Sequence, residues 1–320
     1  MNFKHNILDI GHLPYVFDHN FDFFIKNMDK TISTLDLYLS THNIQNIDYL
    51  RITHTHEIYS RLYFNDIPID NLKKLYDFLD KIGIRGIILK DNNLDETFEF
   101  SSRILHESHP YFLGMTHPHE FVLKKRKFDK KFLCLNLLPR PHKTTMVEFL
   151  YNNNIDKYTN LTHNFKVLDM EAKTLELDLE YDALLVNAFS MSSYIPTILN
   201  HKSFCNIVTE TCFHATQTTF ITEKTEKCFS AGQPFIMVST PFFLKNLREL
   251  GYQTFGDFWD ESYDLVVDNE KRMKMIYNQI IRINYLSYDE IEEMYVKMIP
   301  ILKHNQQINR EWYLKNINKV

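Results

Sequence analysis

The chain has 320 residues, with 44% hydrophobic residues, 36 basic and 41 acidic side chains and a formal net charge of −5. This length is sufficient for two domains, and the mixture of apolar and charged residues excludes an intrinsically disordered protein. The net negative charge excludes a polycation that coats nucleic acid with its whole surface, so any basic surface must be local.

The first half of the chain contains one clear strand–helix–strand pattern. Tyr49–Thr53 has the composition of a short strand. Apolar residues at helical spacing predict a helix over 69–82, with Asp70 as its N-cap and Gly83 at its end. The apolar run 86–89 predicts a second strand. This order predicts a βαβ unit with a buried parallel sheet.

The alternation of strands and helices restarts after a basic segment, residues 124–131, which has six basic residues and one acid. We predict that this segment is a solvated connection between lobes, with contact to a polyanion as the alternative. The elements predicted after it are strand 132–136, helix 144–150, strands 183–189 and 204–208, helix 223–231, strand 235–238, helix 242–250 and helix 288–304. Ser287 and Glu290 form a capping box before the last helix. The whole pattern predicts an α/β protein with two Rossmann-like lobes that face a cleft.

The start of the helix predicted over 223–231 carries a conflict between neighbouring residues. Thr222 is a favourable N-cap, and Glu223 in the first turn is stabilised by the helix dipole. Lys224 is repelled by that dipole. A bound anion would remove the conflict, because free backbone N–H groups and the ammonium would both face a phosphate. A capped surface helix with a solvated Glu–Lys pair is the alternative.

The sequence around this helix start resembles a known family. An aromatic-Ile-Thr-Glu-Lys run, a helix, and then a small residue and a proline that enters a strand occupy residues 220–235. This arrangement resembles the donor-site block of the α1,3-fucosyltransferase family and of related GT-B glycosyltransferases. In that family an upstream strand ends in an acid, here Glu210.

A second stretch, Lys131 to Lys143, resembles the opening of the same family's donor lobe. There a strand ends in Asn, here Asn136, and a basic residue opens the next helix. The basic residue corresponds to either Arg140 or Lys143. The two matches place the resemblance over residues 131–265.

The resemblance implies a GDP- or UDP-activated sugar donor that is bound by the second lobe without a metal or other cofactor. Glu223 would contact the ribose, and Lys224 with Arg140 or Lys143 would bind the diphosphate. Positioned cations stabilise the charge that develops on a departing nucleoside diphosphate. The family inverts the anomeric centre, with a carboxylate of the first lobe as the base. The donor site implied by the resemblance comprises Asn136, Arg140, Lys143, Glu210, Thr222, Glu223 and Lys224.

Glu57, which follows the strand predicted over 49–53, is the predicted catalytic base, with Asp66 and Asp91 as further candidates. His54 and His56 precede it with a spacing that puts both on one face of a strand, and a zinc site there is a weaker alternative.

Two other groups of residues are predicted to be structural. The four cysteines form no C-x-x-C pair and are predicted to be small buried hydrophobes. The aromatic and acidic cluster 258–264 is predicted to be a packed loop, with sugar binding and metal ligation as alternatives.

These observations predict a glycosyltransferase with an acceptor and base lobe over 1–130, a donor lobe over 131–285 and C-terminal helices over 286–320 that pack back across the lobes. The predicted acceptor is a glycan or a hydroxylated nucleobase in DNA, whose phosphates would follow Lys124–Lys131. A non-catalytic nucleotide-sugar-binding protein is the alternative. The polar N-terminus, the mean hydropathy of −0.32 and the lack of a long apolar run predict a cytoplasmic protein without a transmembrane segment.

Overall fold

The computed structural model of the chain describes residues 6–11, 28–42, 44–53, 68–91, 99–101, 103–108, 123–163, 165–169, 171–173, 195, 197–217 and 219–317. The chain divides into two units, Met1–Tyr111 and Phe112–Val320. The assignment of an acceptor lobe, a donor lobe and C-terminal helices stays a prediction.

The first unit is built on a mostly parallel sheet. Its elements are β1 (Ile7–Gly11), α1 (Met28–Leu39), β2 (Tyr49–Thr53), α2 (Ile69–Lys81), β3 (Gly86–Asp91), β4 (Glu99–Ser101) and β5 (Ile104–Ser108). The strand order is β1-β2-β3-β5-β4, and of the paired strands only β4 and β5 run antiparallel. The predicted βαβ unit is confirmed, since β2 pairs in parallel with β3 and Tyr49 lies opposite Gly86.

Helix α2 begins at Ile69, as predicted, but with a different N-cap. Its N-cap is Pro68, whose carbonyl accepts hydrogen bonds from the N–H groups of Asn71 and Leu72. The prediction of Asp70 as the N-cap is therefore wrong, because the fixed φ of proline lets the helix begin directly after it. Gly83 follows the helix with φ +75°, as its predicted terminating role requires.

The second unit is an α/β unit with a fully parallel sheet. Its helices and strands are β6 (Lys130–Asn136), α3 (Pro141–Asn152), β7 (Thr159–His163), α4 (Thr197–Lys202), β8 (Ser203–Thr209), α5 (Glu223–Ala231), β9 (Phe235–Val238), α6 (Phe243–Glu249), α7 (Asn269–Tyr285) and α8 (Tyr288–Ile317). The sheet order is β7-β6-β8-β9. The predicted α/β class is confirmed for both units. The strand predicted over 183–189 lies outside the described residues.

Helix α8 is longer than predicted and packs against α5. Its capping box is confirmed, since Glu290 accepts hydrogen bonds from the N–H and hydroxyl of Ser287 at 2.7 and 2.8 Å. The helix continues past residue 304 because Asn305 and Asn309 turn inward, where both are buried. Their amides hydrogen-bond within the unit, including from Asn309 to the Ser230 hydroxyl of α5 at 3.1 Å.

The basic segment 124–131 is not a wholly solvated connection, because two of its cations are buried in the second unit. The guanidinium of Arg126 donates to the carbonyl of Ala231 and lies over the ring of Tyr295. The ammonium of Lys131 donates to two carbonyls near the end of α7. The prediction of solvation is wrong for these two side chains.

The cysteines are buried and free, as predicted. Among the helices of the described ranges, none has both the length and the apolar composition needed to cross a bilayer.

Replacement of Gly232 by alanine should destabilise the second unit. Gly232 ends α5 with φ +57°, and a Cβ there would overlap the side chain of Leu123. Gly251 has φ +95° but only an ordinary contact at that position, so Gly251→Ala isolates the backbone strain of about 1–2 kcal/mol. We expect Gly232→Ala to cost about 1–3 kcal/mol more in urea unfolding. The overlap would be contradicted if Gly232→Ala and Gly251→Ala lowered the free energy of unfolding equally. It would also be contradicted if adding Leu123→Ala to Gly232→Ala restored no stability.

Candidate functional site

A buried carboxylate at the carboxyl end of β8 fixes the start of α5. Glu210 is fully buried and accepts hydrogen bonds from the N–H groups of Thr211 and Thr222, each at 3.2 Å. It also accepts from the hydroxyls of Thr222 and Thr225, at 2.6 and 2.5 Å. Four donors occupy both carboxylate oxygens, so Glu210 supports the loop and the helix start.

The N-cap of α5 is Thr222, as predicted. Its hydroxyl oxygen accepts a hydrogen bond from the N–H of Lys224 at 3.3 Å and from the Lys224 ammonium at 3.0 Å. The N–H of Lys224 is therefore already bonded within the protein, and the binding of an anion at the helix start stays a prediction. The charged side chains remain as candidate ligand contacts.

A cavity of about 470 Å³ lies beside this helix start, within the second unit. Its volume is in the range of small-molecule sites in proteins. Strands β6 and β8 form the mainly apolar floor of the cavity. Leu133 of β6 pairs with Asn206 of β8, and both residues line the cavity. The described residues that line it are Leu133, Leu135, Asn136, Leu137, Leu138, Arg140, Lys143, Thr162, Asn200, Asn206, Ile207, Val208, Thr209, Thr211, Glu223, Lys224 and Lys227.

Five of the seven predicted donor-site residues line this cavity. The other two, Glu210 and Thr222, are buried and hydrogen-bond to each other at the start of α5. Asn136 ends β6 and is held by the hydroxyl of Thr209, which donates to its Oδ1 at 2.5 Å. The alternatives Arg140 and Lys143 both line the cavity.

Arg140 and Lys143 are positioned by the start of α3. Pro141 suits the first turn of that helix, and the guanidinium of Arg140, directly before it, donates to the carbonyl of Thr211. Lys143 is buried, with 4% of the residue exposed, and it lines the cavity. It has no hydrogen-bond acceptor or ion-pair partner among the described residues. Burial, together with the charges of Lys224 and Arg140, lowers the pKa of Lys143 to about 8.

Glu223 is the carboxylate in the cavity lining. Burial favours its neutral form, but the charges of Lys224 and Lys227 outweigh burial and hold its pKa below the usual value. Its Oε1 lies 3.2 Å from the ammonium of Lys224. Glu223 is therefore an ionised hydrogen-bond acceptor, which suits it to bind the hydroxyls of a ligand.

His142 supports the same region as a neutral side chain. Burial lowers its pKa to about 4, and its ring stacks on Phe213. Its Nε2 lies 2.8 Å from the backbone carbonyl of Glu210. Because a carbonyl only accepts, Nε2 is assigned the proton in this tautomer.

The predicted catalytic residues are not placed by the structure. Glu57, Asp66, His54 and His56 lie outside the described residues, and Asp91 ends β3 with a side chain that is also outside them. Among the described residues, no three potential metal ligands come together.

The acidic cluster 258–264 is a packed loop, as predicted. Asp264 accepts hydrogen bonds from the N–H groups of Leu244 and Lys245 at the start of α6. Glu261 accepts from the N–H of Phe255 at 2.8 Å and from a threonine hydroxyl. These carboxylates bond to the protein's own backbone.

Sequence reasoning missed Lys227, which also lines the cavity. It follows Glu223 by four residues and Lys224 by three, a spacing that places all three on one side of a helix. That spacing was the signal from which Lys227 could have been predicted.

No protein-family model and no curated protein matches the chain. Three solved structures are similar to it over most of their length, at low identity. A crystal structure of an α1,3-fucosyltransferase is 11% identical, with 94% of this chain and 91% of that chain covered and a TM-score of 0.36. A structure of an α1,3-fucosyltransferase with GDP-fucose is 12% identical, with 93% and 92% covered and a TM-score of 0.35. One with GDP is 13% identical, with 95% and 92% covered and a TM-score of 0.33. Likeness at this level assigns neither family nor activity, so the site is interpreted from its own geometry.

Removal of the Lys143 charge should stabilise the unliganded protein. Its folded pKa of about 8 lies below the ordinary 10.5, so the charged form opposes folding below about pH 8 and this penalty fades as the pH rises toward 10.5. We expect Lys143→Met to raise the free energy of unfolding by at least about 1 kcal/mol at pH 7, and by less at pH 9.5. Urea unfolding at both pH values tests this, with the exposed Lys245→Met as control. An equal gain at both pH values would contradict the assignment.

Replacement of Glu210 by glutamine should destabilise the second unit. An amide would turn an –NH₂ group toward donors that now share the carboxylate, leaving at least one of them without an acceptor. We expect a loss of about 1–3 kcal/mol in unfolding free energy. Glu249→Gln, on the exposed face of α6, is the matched control and should change stability by less than about 0.5 kcal/mol. A loss no greater than that of the control would show that Glu210 does not hold the loop.

Proposed function

We propose that the protein is a glycosyltransferase that binds a nucleoside diphosphate sugar in the cavity of its second unit and transfers the sugar to a hydroxyl acceptor. The observation that carries this proposal is the lining of the cavity, which contains four cationic side chains and one carboxylate near the carboxyl ends of parallel strands. Ligands of α/β proteins bind at this edge of the sheet. The sequence resemblance to the α1,3-fucosyltransferase donor block supports the same function.

The diphosphate would be bound by Lys224, Arg140 and Lys143. Without a ligand these like charges repel one another, and together with burial, the larger cause, they lower the pKa of Lys143. A dianion placed among them would replace repulsion by attraction and favour the charged form of Lys143. The same cations would stabilise the negative charge that develops on the departing nucleoside diphosphate, so that no metal ion is required for that role.

Glu223 would accept hydrogen bonds from the ribose hydroxyls. It lies next to Lys224 on α5, and the two lysines near it keep it ionised. A carboxylate is an acceptor only, and its two oxygens suit a pair of neighbouring hydroxyls.

The proposed reaction is a direct displacement with inversion. The acceptor oxygen attacks the anomeric carbon, the bond to the diphosphate oxygen breaks, and a base removes the acceptor proton. Glu57 stays the predicted base. We favour a glycan over DNA as the acceptor, because Arg126 and Lys131 are bonded inside the fold and unavailable to a phosphate backbone.

Turnover of a panel of GDP- and UDP-sugars tests the proposal. With an acceptor present, the wild-type protein should release nucleoside diphosphate in the presence of EDTA, and Lys224→Ala should reduce that release at least about a hundredfold. Lys245→Ala, on exposed α6, is the control and should leave it unchanged.

Binding separates the proposed enzyme from a non-catalytic nucleotide-sugar-binding protein. A nucleoside diphosphate at 100 times its dissociation constant should stabilise the fold by about 2.7 kcal/mol. Stabilisation without turnover over a broad acceptor panel would favour the binding protein. Absence of any stabilisation by GDP or UDP would refute both functions.

A further inference from the structure

Helix α5 has two sides with different roles. Glu223, Lys224 and Lys227 line the cavity. Glu226 and Ser230 are buried on another side, where Asn309 of α8 donates to both. Four residues advance an α-helix by about 6 Å, so Lys227 lies about one turn further from the helix start than Glu223. The cavity wall therefore continues past the residues assigned to the diphosphate and the ribose.

The Lys227 ammonium is not used by the described fold. Lys224 donates to Thr222 and Glu223, whereas no hydrogen bond or ion pair joins Lys227 to another described residue. Lys227 is only partly exposed, and burial lowers its pKa. A lysine that is partly desolvated in a cavity wall without an acceptor is expected to find one in a ligand.

The charged residues follow one another along the cavity in a definite order. Arg140 donates to the carbonyl of Thr211, in the loop that leads to the start of α5. Glu223 and Lys224 lie at that start as a pair 3.2 Å apart, and Lys227 lies about one turn further along the helix. The order is a cationic end, then a carboxylate, then a second, separate ammonium.

The surroundings of Lys227 are of mixed polarity. The side chain of Asn206 lies near the thiol of Cys228, the next residue on α5. Asn206 lies opposite Leu133 across the β6–β8 pair, and Ile207 follows it on β8. These three residues line the cavity. An apolar floor with a few polar groups is typical of small-molecule sites, and it can accommodate a planar heterocycle.

We propose that the second turn of α5 forms the nucleobase subsite of the donor, in which Lys227 donates a hydrogen bond to a carbonyl oxygen of the base. This inference rests on the proposed function. The order of diphosphate, ribose and base in a nucleoside diphosphate matches the order of the cationic end, Glu223 and Lys227. The ammonium has three donors and no acceptor, so it favours bases with an oxo group over those with an amino group at the same position. Lys227 is thus a specificity-determining residue.

Two matched pairs of nucleotides test this specificity in the full-length protein. Inosine diphosphate and ADP differ in the oxo or amino group of the purine, and UDP and CDP in that of the pyrimidine. By titration calorimetry, the wild-type protein should bind the oxo member of each pair roughly tenfold to a hundredfold more tightly. Lys227→Met should bring both ratios close to one, and it should fold because no described partner of Lys227 is left unbonded.

Two further variants separate base recognition from general attraction of anions. Lys224→Met should weaken all four nucleotides by a common factor and leave the ratios unchanged. Lys245→Met should change neither affinities nor ratios. The subsite is refuted if the wild-type ratios are near one, if Lys227→Met leaves them unchanged, or if it weakens all four nucleotides equally. If the wild-type protein binds none of the four and does not bind GDP either, the proposed function fails as well, which is a distinct result; binding of GDP alone would refute the subsite and leave the proposed function standing.

Discussion

The position of α5 depends on one desolvated carboxylate. Glu210 stands where β8 ends, and it gathers the N–H groups and hydroxyls of the following loop and helix start around its two oxygens. A buried charge is tolerated only when donors surround it, so the loop cannot shift without exposing those donors. Because Glu223 and Lys224 follow Thr222 directly, the placement of their side chains is a consequence of this bonding.

The same region concentrates positive charge that the fold does not neutralise. Lys143 is buried without an acceptor in the described structure, and Lys227 is partly buried without one. Such residues lower the stability of the unliganded protein and are retained in proteins where a ligand compensates them. The uncompensated charges are on side chains of α3 and α5, while the strands of the sheet next to them are largely apolar and buried.

The helices and strands that could be predicted are those whose ends are marked by nearby residues in the sequence. Helix α5 and strand β9 have the predicted bounds, since a threonine cap, a glycine and a proline mark them. Helix α7 was missed although Asp268 caps it, because its buried face includes Arg272, whose guanidinium bonds to backbone carbonyls of other segments. In the candidate site, the Thr-Glu-Lys run was found by its conflict with the helix dipole. The burial of Lys143 and the bonding of Glu210 depend on segments far apart in sequence, and so could not be predicted.

The two buried asparagines of α8 determine how far a fragment of the second unit must extend. Asn305 bonds to both backbone groups of Gln253, and Asn309 bonds to α5. Tyr295 of the same helix donates to the carbonyl of Gly232 at the end of α5. The helix that bears Glu223 and Lys224 is thus held on its other side by residues 63 to 79 positions later in the chain. A fragment cut after α7 would keep every strand of the sheet yet lose these contacts, so the smallest autonomous piece of this unit extends through α8.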